Sequence, residues 1–387
     1  ALSGLPTQTV QYTGTDVDDL NQFLQNNTGK IVHLTQDIQV YKNTNGSFGI
    51  IMVPSDTILD GNGHSLVMKA GYTEAPDVGV VLYVYKNGVI PSTNCGVKNL
   101  STDIPYVNSI NVFSADNILL ENNTLNNATK SGIMISDEYG STVNGIIRGN
   151  TINNVGDDAI AVYGNHSNLL IDSNRISGAK GFAGIAISCL QNGQQIRVDN
   201  ETTGPHDIIV TGNVISGCSG EALYCIGSYK TYITYNTLRD SILEGVCLDS
   251  GCIGNYFAHN EVVNNGIAGG LPGVSIDNGI YNIVDSNNVY NNSCSGIKLV
   301  RTGLGNIIVN NICTDNAYNQ MGAKSSGIDI EPLAVETENL GYIDGLGSNW
   351  NVVLNNTVTG SHDFGVFIAD DDTANNGGSS CENVIMY

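Results

Sequence analysis

Residues 244–249 read EGVCLD, and related segments follow as GVSID at 273–277, GIKLVR at 296–301 and GIDIE at 327–331. In each segment apolar residues alternate with polar ones, which predicts a short strand with one buried face and one face in water. The four segments are predicted to lie side by side in one sheet. Their outward positions carry charged side chains at matching places, namely Asp249, Asp277, Lys298, Asp329 and Glu331.

A repeating unit surrounds these segments. It has the form apolar-x-apolar-x-x-Asn-x-apolar, and its Asn recurs as Asn123, Asn150, Asn174, Asn213, Asn236, Asn260, Asn287, Asn310 and Asn356. The commonest spacings are 23 residues (236 − 213) and 24 residues (260 − 236), which suit one coil of three short strands. The flanks are rich in Ile, Val, Thr and Tyr, which favour strands over helices. Stacked coils are predicted to place the Asn side chains of successive turns in a ladder.

A second landmark in each coil is a strand that opens with Gly and an apolar residue. Its first inward side chain is predicted to be Ile133, Ile160, Ile185, Leu223, Val246, Val274, Ile297, Ile328 and Val366 in successive coils. Long insertions follow this strand in two coils, at residues 189–206 and 332–348. We expect them to stand as the walls of a groove whose floor is the sheet of the opening segments.

This pattern resembles the right-handed parallel β-helices of the pectin-lyase-like superfamily, which contains carbohydrate-active enzymes and phage tailspikes. The resemblance covers about residues 30–387 and implies an all-β fold, a right-handed parallel β-helix that forms a single domain. It says little about activity, because the repeat is architectural.

Residues 1–29 are predicted to form an N-terminal arm with a short capping helix over one end of the solenoid. Thr15 followed by Asp18 resembles a capping box. One face of the predicted helix is apolar and consists of Val17, Leu20, Phe23 and Leu24.

The charge of the chain limits its partners. Acidic residues number 37 against 15 Lys and Arg, so the formal net charge is −22. Nucleic acid is excluded, because it requires clustered positive charge. A polyanionic glycan is disfavoured unless a cation bridges the two, and a neutral polysaccharide or oligosaccharide fits better.

The sequence also predicts a secreted protein without a membrane segment. It opens with Ala1 and Leu2 rather than Met, and it is low in Lys and rich in Asn, Thr and Gly. The nine Cys show no CxxC spacing or Cys/His cluster, so no metal site is predicted. Cys225 is expected to be a buried apolar residue, and loop cysteines leave room for one or two disulfides.

The first candidate for chemistry is GDDAIAV at 156–162, which looks like the Asp-Asp motif of polygalacturonase-type glycoside hydrolases. That resemblance implies acid and base roles for Asp157 and Asp158. In the family, an acid and then a His precede the inward position on neighbouring strands. Ser131 and Ala183 stand there instead, so Asp157 and Asp158 are retained as secondary candidates.

The second candidate is the opening row of acids. Asp249 and Asp277 share one outward register on neighbouring coils, so their backbones are expected to lie ~4.8 Å apart. Like charges at that distance raise one pKa, which yields a proton donor beside an ionised carboxylate. Asp329 and Glu331 extend the row and complete the predicted catalytic set.

Flanking residues are predicted to bind substrate: Glu221, Glu244, Lys298, Arg301, Tyr224 and Tyr163. Strand length places the pair Glu221 and Glu244 ~17 Å from Asp249, too far to act on the same atom. The alternative for every one of these acids is a solvated acidic face.

The segment GCIGN at 251–255 resembles part of the inulin fructotransferases, which are secreted β-helix trimers acting on a neutral fructan. The resemblance implies association into homotrimers and transfer as well as hydrolysis. We therefore predict a glycoside hydrolase or transglycosylase that needs no cofactor. Two alternatives stay open: a Ca²⁺-assisted polyuronate lyase or C5-epimerase using the same acids, and a non-catalytic adhesin or tailspike-like binding module.

Overall fold

The computed structural model describes residues 2–41, 50–74, 77–85, 89–138, 140–191, 194–195, 204–268, 270–301, 303–318, 326–331, 348–361, 364–369 and 382–386. The chain forms two compact units, one of residues 1–181 with 191–193 and one of residues 182–190 with 194–387. In each unit short strands stack coil upon coil into three parallel sheets, here called sheets one, two and three. The predicted all-β parallel β-helix is confirmed.

The strands of the first unit follow the helix Val17–Asn26 and the arm strand Gln8–Tyr12. Sheet one contains Gln8–Tyr12, Lys30–Leu34, Ile58–Asp60, Thr93–Lys98, Asp116–Glu121, Val143–Arg148 and Ser167–Asp172. Sheet two contains Ile38–Val40, Ser65–Met68, Ser101–Thr102, Thr124–Asn126, Thr151–Asn153 and Arg175–Ser177. Sheet three contains Ile51–Met52, Val78–Tyr85, Asn108–Phe113, Ile133–Ser136 and Ile160–Tyr163, and Val89–Pro91 pairs antiparallel with Val78–Tyr85.

The strands of the second unit repeat this order. Sheet one contains Ile209–Thr211, Tyr232–Thr234, Tyr256–Ala258, Ile283–Asp285, Ile307–Val309, Val352–Leu354 and Val384–Met386. Sheet two contains Val214–Ser216, Thr237–Arg239, Glu261–Val263, Asn288–Tyr290, Ile312–Thr314 and Thr357–Thr359. Sheet three contains Ile185–Ser188, Leu223–Ile226, Val246–Asp249, Val274–Asp277, Ile297–Val300, Ser326–Ile330 and Phe364–Ile368. The short strands Leu190–Gln191 and Gln194–Gln195 lie outside these sheets.

The helix covers the strands Ile38–Val40 and Ile51–Met52. Its N-cap is Asp16, whose side chain accepts a hydrogen bond from the backbone of Asp18, so the prediction of Thr15 as the cap was wrong. Asp16 has the extended backbone that an N-cap needs, and it is one residue closer to the first helical turn. Val17, Leu20 and Leu24 are buried as predicted.

Asparagine ladders run through the turns. In the second unit one ladder consists of Asn213, Asn236, Asn260, Asn287, Asn311 and Asn356. Asn310 was predicted to belong to this ladder, but the ladder residue in that coil is Asn311. Asn310 is exposed and adopts the left-handed conformation with φ 57°. The ladder residues, apart from the half-buried Asn356, are buried and satisfy backbone groups, while the residues that precede them make the left-handed turn.

Two further ladders in this unit were not predicted. They consist of Asn255, Asn282, Asn306, Asn351 and Asn383, and of Asn265, Asn292 and Asn316. In the first unit Asn123, Asn150 and Asn174 form the predicted ladder. Neighbouring coils in the middle of the second unit are thus joined by asparagine hydrogen bonds at more than one corner.

The interior is filled by the predicted inward residues of sheet three. Leu223 pairs with Val246, Val246 with Val274, and Val274 with Ile297, all of them fully buried. Cys225 is buried as predicted, and the eight cysteines in the described part of the chain are free thiols. Cys381 lies outside the described residues.

Candidate active site

The candidate site lies on the outer face of sheet three in the second unit. Leu248 pairs with Ile276, so the next residues along the strands, Asp249 and Asp277, lie side by side. Lys298 pairs with Asp329 in the neighbouring outward column. The sequence therefore placed the row of charged residues in the correct register.

The face is far less solvated than the alternation pattern predicts. Asp329 is fully buried, Glu221 and Glu244 are only 7% and 9% exposed, and Asp249 and Asp277 are half-buried. The interpretation as a solvated acidic face was wrong for these residues. Carboxyl groups withdrawn from water are costly, so their presence calls for a reason beyond solubility.

Asp249 is the most strongly hydrogen-bonded acid of the group. Its Oδ2 accepts a bond of 2.6 Å from the hydroxyl of Tyr224, and its Oδ1 accepts bonds from the backbone and hydroxyl of Ser250 at 2.5 and 2.9 Å. Phe182 packs edge-on against the Tyr224 ring at 4.8 Å and fixes its direction. Three donors therefore converge on this one carboxylate and hold it in place.

The surroundings of Asp277 differ from those of Asp249. Burial and then the negative charge of Asp249 raise the pKa of Asp277 to about 6, against the pull of Arg301. The guanidinium Nη1 of Arg301 lies 3.2 Å from Oδ1 of Asp277, but this oxygen makes no hydrogen bond among the described residues. Asp277 therefore keeps its proton to a higher pH than an ordinary aspartate does.

Glu221 and Glu244 couple to this pair, although strand length predicted a separation of ~17 Å. Burial, and then the charge of Glu221, raise the pKa of Glu244 to about 7, with Asp277 and Asp249 adding to the effect. Burial also raises the pKa of Glu221, and Asp249 adds to the rise. The charge of Asp249 thus acts on both glutamates, while their predicted separation from it and their predicted role in binding substrate stay predictions.

Lys298, Asp329 and Glu331 form a separate charge cluster. The ammonium of Lys298 lies 2.8 Å from Glu331 Oε2 and 3.5 Å from Asp329 Oδ2. Burial opposes the charge of Lys298, but Asp329 and Glu331 outweigh it and raise the pKa of the lysine. Burial raises the pKa of Asp329, and the nearby lysine offsets part of that rise. The acids that were predicted to form a single row thus form two groups, one with Asp249 and Asp277 and one with Asp329 and Glu331.

Replacing Glu244 with Gln should stabilise the protein at pH 8 and change little at pH 4. A raised folded-state pKa means that the folded protein binds the extra proton, so stability falls as pH rises from about 4 to about 7. The neutral amide removes this penalty, which amounts to up to about 3 kcal/mol. Urea unfolding at both pH values measures it, and equal effects at pH 4 and pH 8 would contradict the assignment.

Asp157, Asp158 and Tyr163 belong to the first unit. Asp158 is fully buried and accepts a hydrogen bond from the Tyr163 hydroxyl. Burial, with help from that carboxylate, raises the pKa of Tyr163. Ser131 and Ala183 are buried small residues, so neither supplies the further acid or histidine that the Asp-Asp motif requires.

The structure adds three residues that the sequence did not single out. Ser250 and Phe182 position Asp249 and Tyr224, and the hydroxyl of Ser295 lies 3.4 Å from Asp329 Oδ2. Ser295 stands two residues before an inward position, as Glu221 and Glu244 do, so its register was a usable signal. The insertions 189–206 and 332–348 were predicted to form the groove walls. Most of their residues, including 196–203 and 332–347, lie outside the described residues.

Two further observations bear on the site. No group of three or more His, Cys, Asp or Glu side chains in the described part of the chain is arranged to hold a metal ion. No helix among the described residues is both long and apolar enough to cross a membrane.

Comparison with known proteins identifies the architecture. The sequence profile of the right handed beta helix region matches residues 82–203 and 196–383. The A-module of a mannuronan C-5 epimerase from Azotobacter vinelandii has a TM-score of 0.59 at 11% identity, covering 97% of this chain and 100% of the module. ORF18 of Geobacillus virus E2 has a TM-score of 0.57 at 10% identity, covering 80% of this chain and 60% of that one.

A periplasmic alginate epimerase has a TM-score of 0.50 at 12% identity, covering 98% of this chain and 85% of the enzyme. At these identities the likeness concerns the fold. No curated protein matches the sequence.

Proposed function

This chain belongs to the right-handed β-helix family, and from that premise we propose that it is a glycan-active enzyme. The reaction we propose is glycoside hydrolysis or transglycosylation of a neutral polysaccharide on sheet three of the second unit. We also propose that the enzyme is secreted.

One observation carries the proposal: two neighbouring carboxyl groups with opposite environments. Asp249 accepts three hydrogen bonds from Tyr224 and Ser250, whereas burial and the charge of Asp249 raise the pKa of Asp277 to about 6. Cleavage of a glycosidic bond needs such a division between an ionised carboxylate and a proton donor.

The proposed mechanism assigns one step to each carboxyl group. Asp277 gives its proton to the glycosidic oxygen, and Asp249 attacks the anomeric carbon as the bond to that oxygen breaks. Water, or a sugar hydroxyl in transfer, then displaces Asp249 while Asp277 recovers a proton from it. The ~4.8 Å between neighbouring strands suits the roughly 5–5.5 Å separation of retaining enzymes.

The charges around the pair favour a neutral substrate. Glu221 and Glu244 flank Asp249 and Asp277, while Arg301 and Lys298 are both engaged by acids of the protein. A polyuronate would bring further negative charge to this face, at a cost that a neutral glycan avoids.

Arg301 and Lys298 favour a second candidate, a polyuronate lyase or C5-epimerase. Either cation could neutralise a uronate carboxylate if it exchanged its present acidic partner for the substrate. In that case Asp277 or Glu331 would be released to hold a cation such as Ca²⁺.

A screen on neutral and acidic polysaccharides, with products analysed by mass, tests the proposal. We expect products from a neutral glycan that are heavier by one water per cleavage, or transfer products of unchanged total mass, with no effect of a chelator. Products lighter by one water from a uronate polymer would favour the lyase, and deuterium uptake from heavy water without cleavage would favour the C5-epimerase, with either reaction lost on chelation. Binding without reaction on every glycan would identify a non-catalytic binding module.

A further inference from the structure

Aromatic residues occupy left-handed backbone positions beside sheet one of the second unit. Tyr235, His259, Tyr281 and Trp350 have φ of 58°, 56°, 56° and 58°. The same places in other coils hold glycine, asparagine, serine or a charged residue, for example Gly305, Asn310 and Glu382. A bulky side chain in this conformation costs roughly 1–2 kcal/mol. Sites that retain such a cost repeatedly are often functional.

These rings are exposed and fixed. Tyr235, Tyr281 and Trp350 are 65%, 62% and 53% exposed. The Tyr281 ring lies against Gly305, where an added Cβ would come within 2.7 Å of it. Tyr235 stacks on His259 with ring centroids 5.0 Å apart and planes at 12°. A ring that is already held in place loses little conformational entropy when a partner binds to its flat face.

The sheet between the rings is apolar and nearly uncharged. One outward column consists of Ile209, Tyr232, Tyr256, Ile283, Ile307, Val352 and Val384. Of the outward side chains on these described strands, only that of Asp285 is charged. Its carboxylate accepts hydrogen bonds from Tyr256, Ser286 and Asn310. Such a face is unusual on a chain of net charge −22.

We propose that this aromatic face, defined by Tyr235, His259, Tyr281 and Trp350, is a second binding site for a neutral glycan chain. It lies on sheet one and is separate from the acids of sheet three. The ligand class rests on the proposed function and on the low charge of the face.

The geometry suits a linear sugar polymer running along the coils. Tyr281 and Trp350 flank the coil of Gly305, so their backbones lie two strand spacings apart, or ~9.6 Å. That is about the length of two linked pyranose rings, whose apolar faces stack on aromatic rings. On the other flank, Asn355 donates a hydrogen bond to Asn310, and both amides are exposed for sugar hydroxyls.

The test uses the full chain carrying Asp249→Asn, so that the polymer is not consumed. Binding is measured by affinity electrophoresis in soluble neutral α-glucan, β-glucan and fructan. We expect Tyr281→Asn with Trp350→Asn to weaken binding about 10-fold or more, since both rings are lost while asparagine tolerates the backbone. Tyr281→Phe should bind normally, as should Tyr318→Asn, which removes a tyrosine that is 55% exposed elsewhere.

In a chain that retains Asp249, the double variant should cleave a short oligosaccharide with kcat/KM within about 2-fold of wild type. Unchanged polymer binding in the double variant would overturn the proposal, as would the absence of binding to every polymer tested. A change of oligomeric state in sedimentation, without loss of glycan binding, would identify the face as a contact between copies and also overturn it. Failure to cleave any glycan leaves the binding measurement intact, so the two proposals fail separately.

Discussion

Asp249→Asn lowers kcat on the cleaved glycan by about 1000-fold or more, with the fold unchanged. The amide keeps the size of the carboxylate but cannot attack the anomeric carbon or accept a proton. Tyr224 and Ser250 donate to different oxygens of Asp249, and the amide of asparagine has only one oxygen to accept such bonds. Initial rates with a soluble substrate measure the loss.

Asp240→Asn is a matched control for this variant. Asp240 is half-buried in a left-handed turn close to Glu244 in sequence, where asparagine is well tolerated. Its activity should stay within about 2-fold of wild type. If Asp249→Asn retained a tenth of the wild-type kcat, Asp249 would not be the nucleophile and the division of roles with Asp277 would fail.

Asn287→Ala destabilises the second unit by about 3 kcal/mol or more. The amide of Asn287 donates to the carbonyl of Phe257 at 3.0 Å and to Asn311 at 2.9 Å, and it accepts from the backbone and amide of Asn260. Alanine leaves these buried groups without partners, at about 1–3 kcal/mol for each group that stays unsatisfied.

Asn288→Ala supplies the comparison, because this asparagine is the next residue and is exposed on sheet two. Its effect should lie within about 0.5 kcal/mol. Urea unfolding followed by circular dichroism measures both variants. Equal unfolding midpoints would show that the ladder is a by-product of the turns and not a source of stability.

The fold was predictable from the sequence because its determinants repeat. One coil alone is ambiguous, but the Asn spacing and the apolar alternation agree across many coils and fix both fold and register. Errors were confined to single-residue choices inside turns. Asn310 and Asn311 are identical in type, and only the backbone conformation shows which one points inward.

The site was predictable only as a set of positions. Register placed Asp249 beside Asp277, but no sequence pattern indicates that Tyr224 bonds to Asp249 or that Asp329 is withdrawn from water. Those facts depend on the lengths and rotamers of side chains from different coils. The burial that raises the pKa of Asp277 is likewise a property of the packed face.

The asparagine ladders bear on how such a chain changes in evolution. Within a ladder, each asparagine bonds to its counterpart in the neighbouring coil, at separations of 23, 24 and 27 residues, or 45 residues where an insertion intervenes. A gene segment that encodes one complete coil can therefore be duplicated or lost, and the flanking asparagines meet again in the same geometry. The length of the solenoid is free to drift in whole coils, while the acids of sheet three are inherited together on the few coils that carry them.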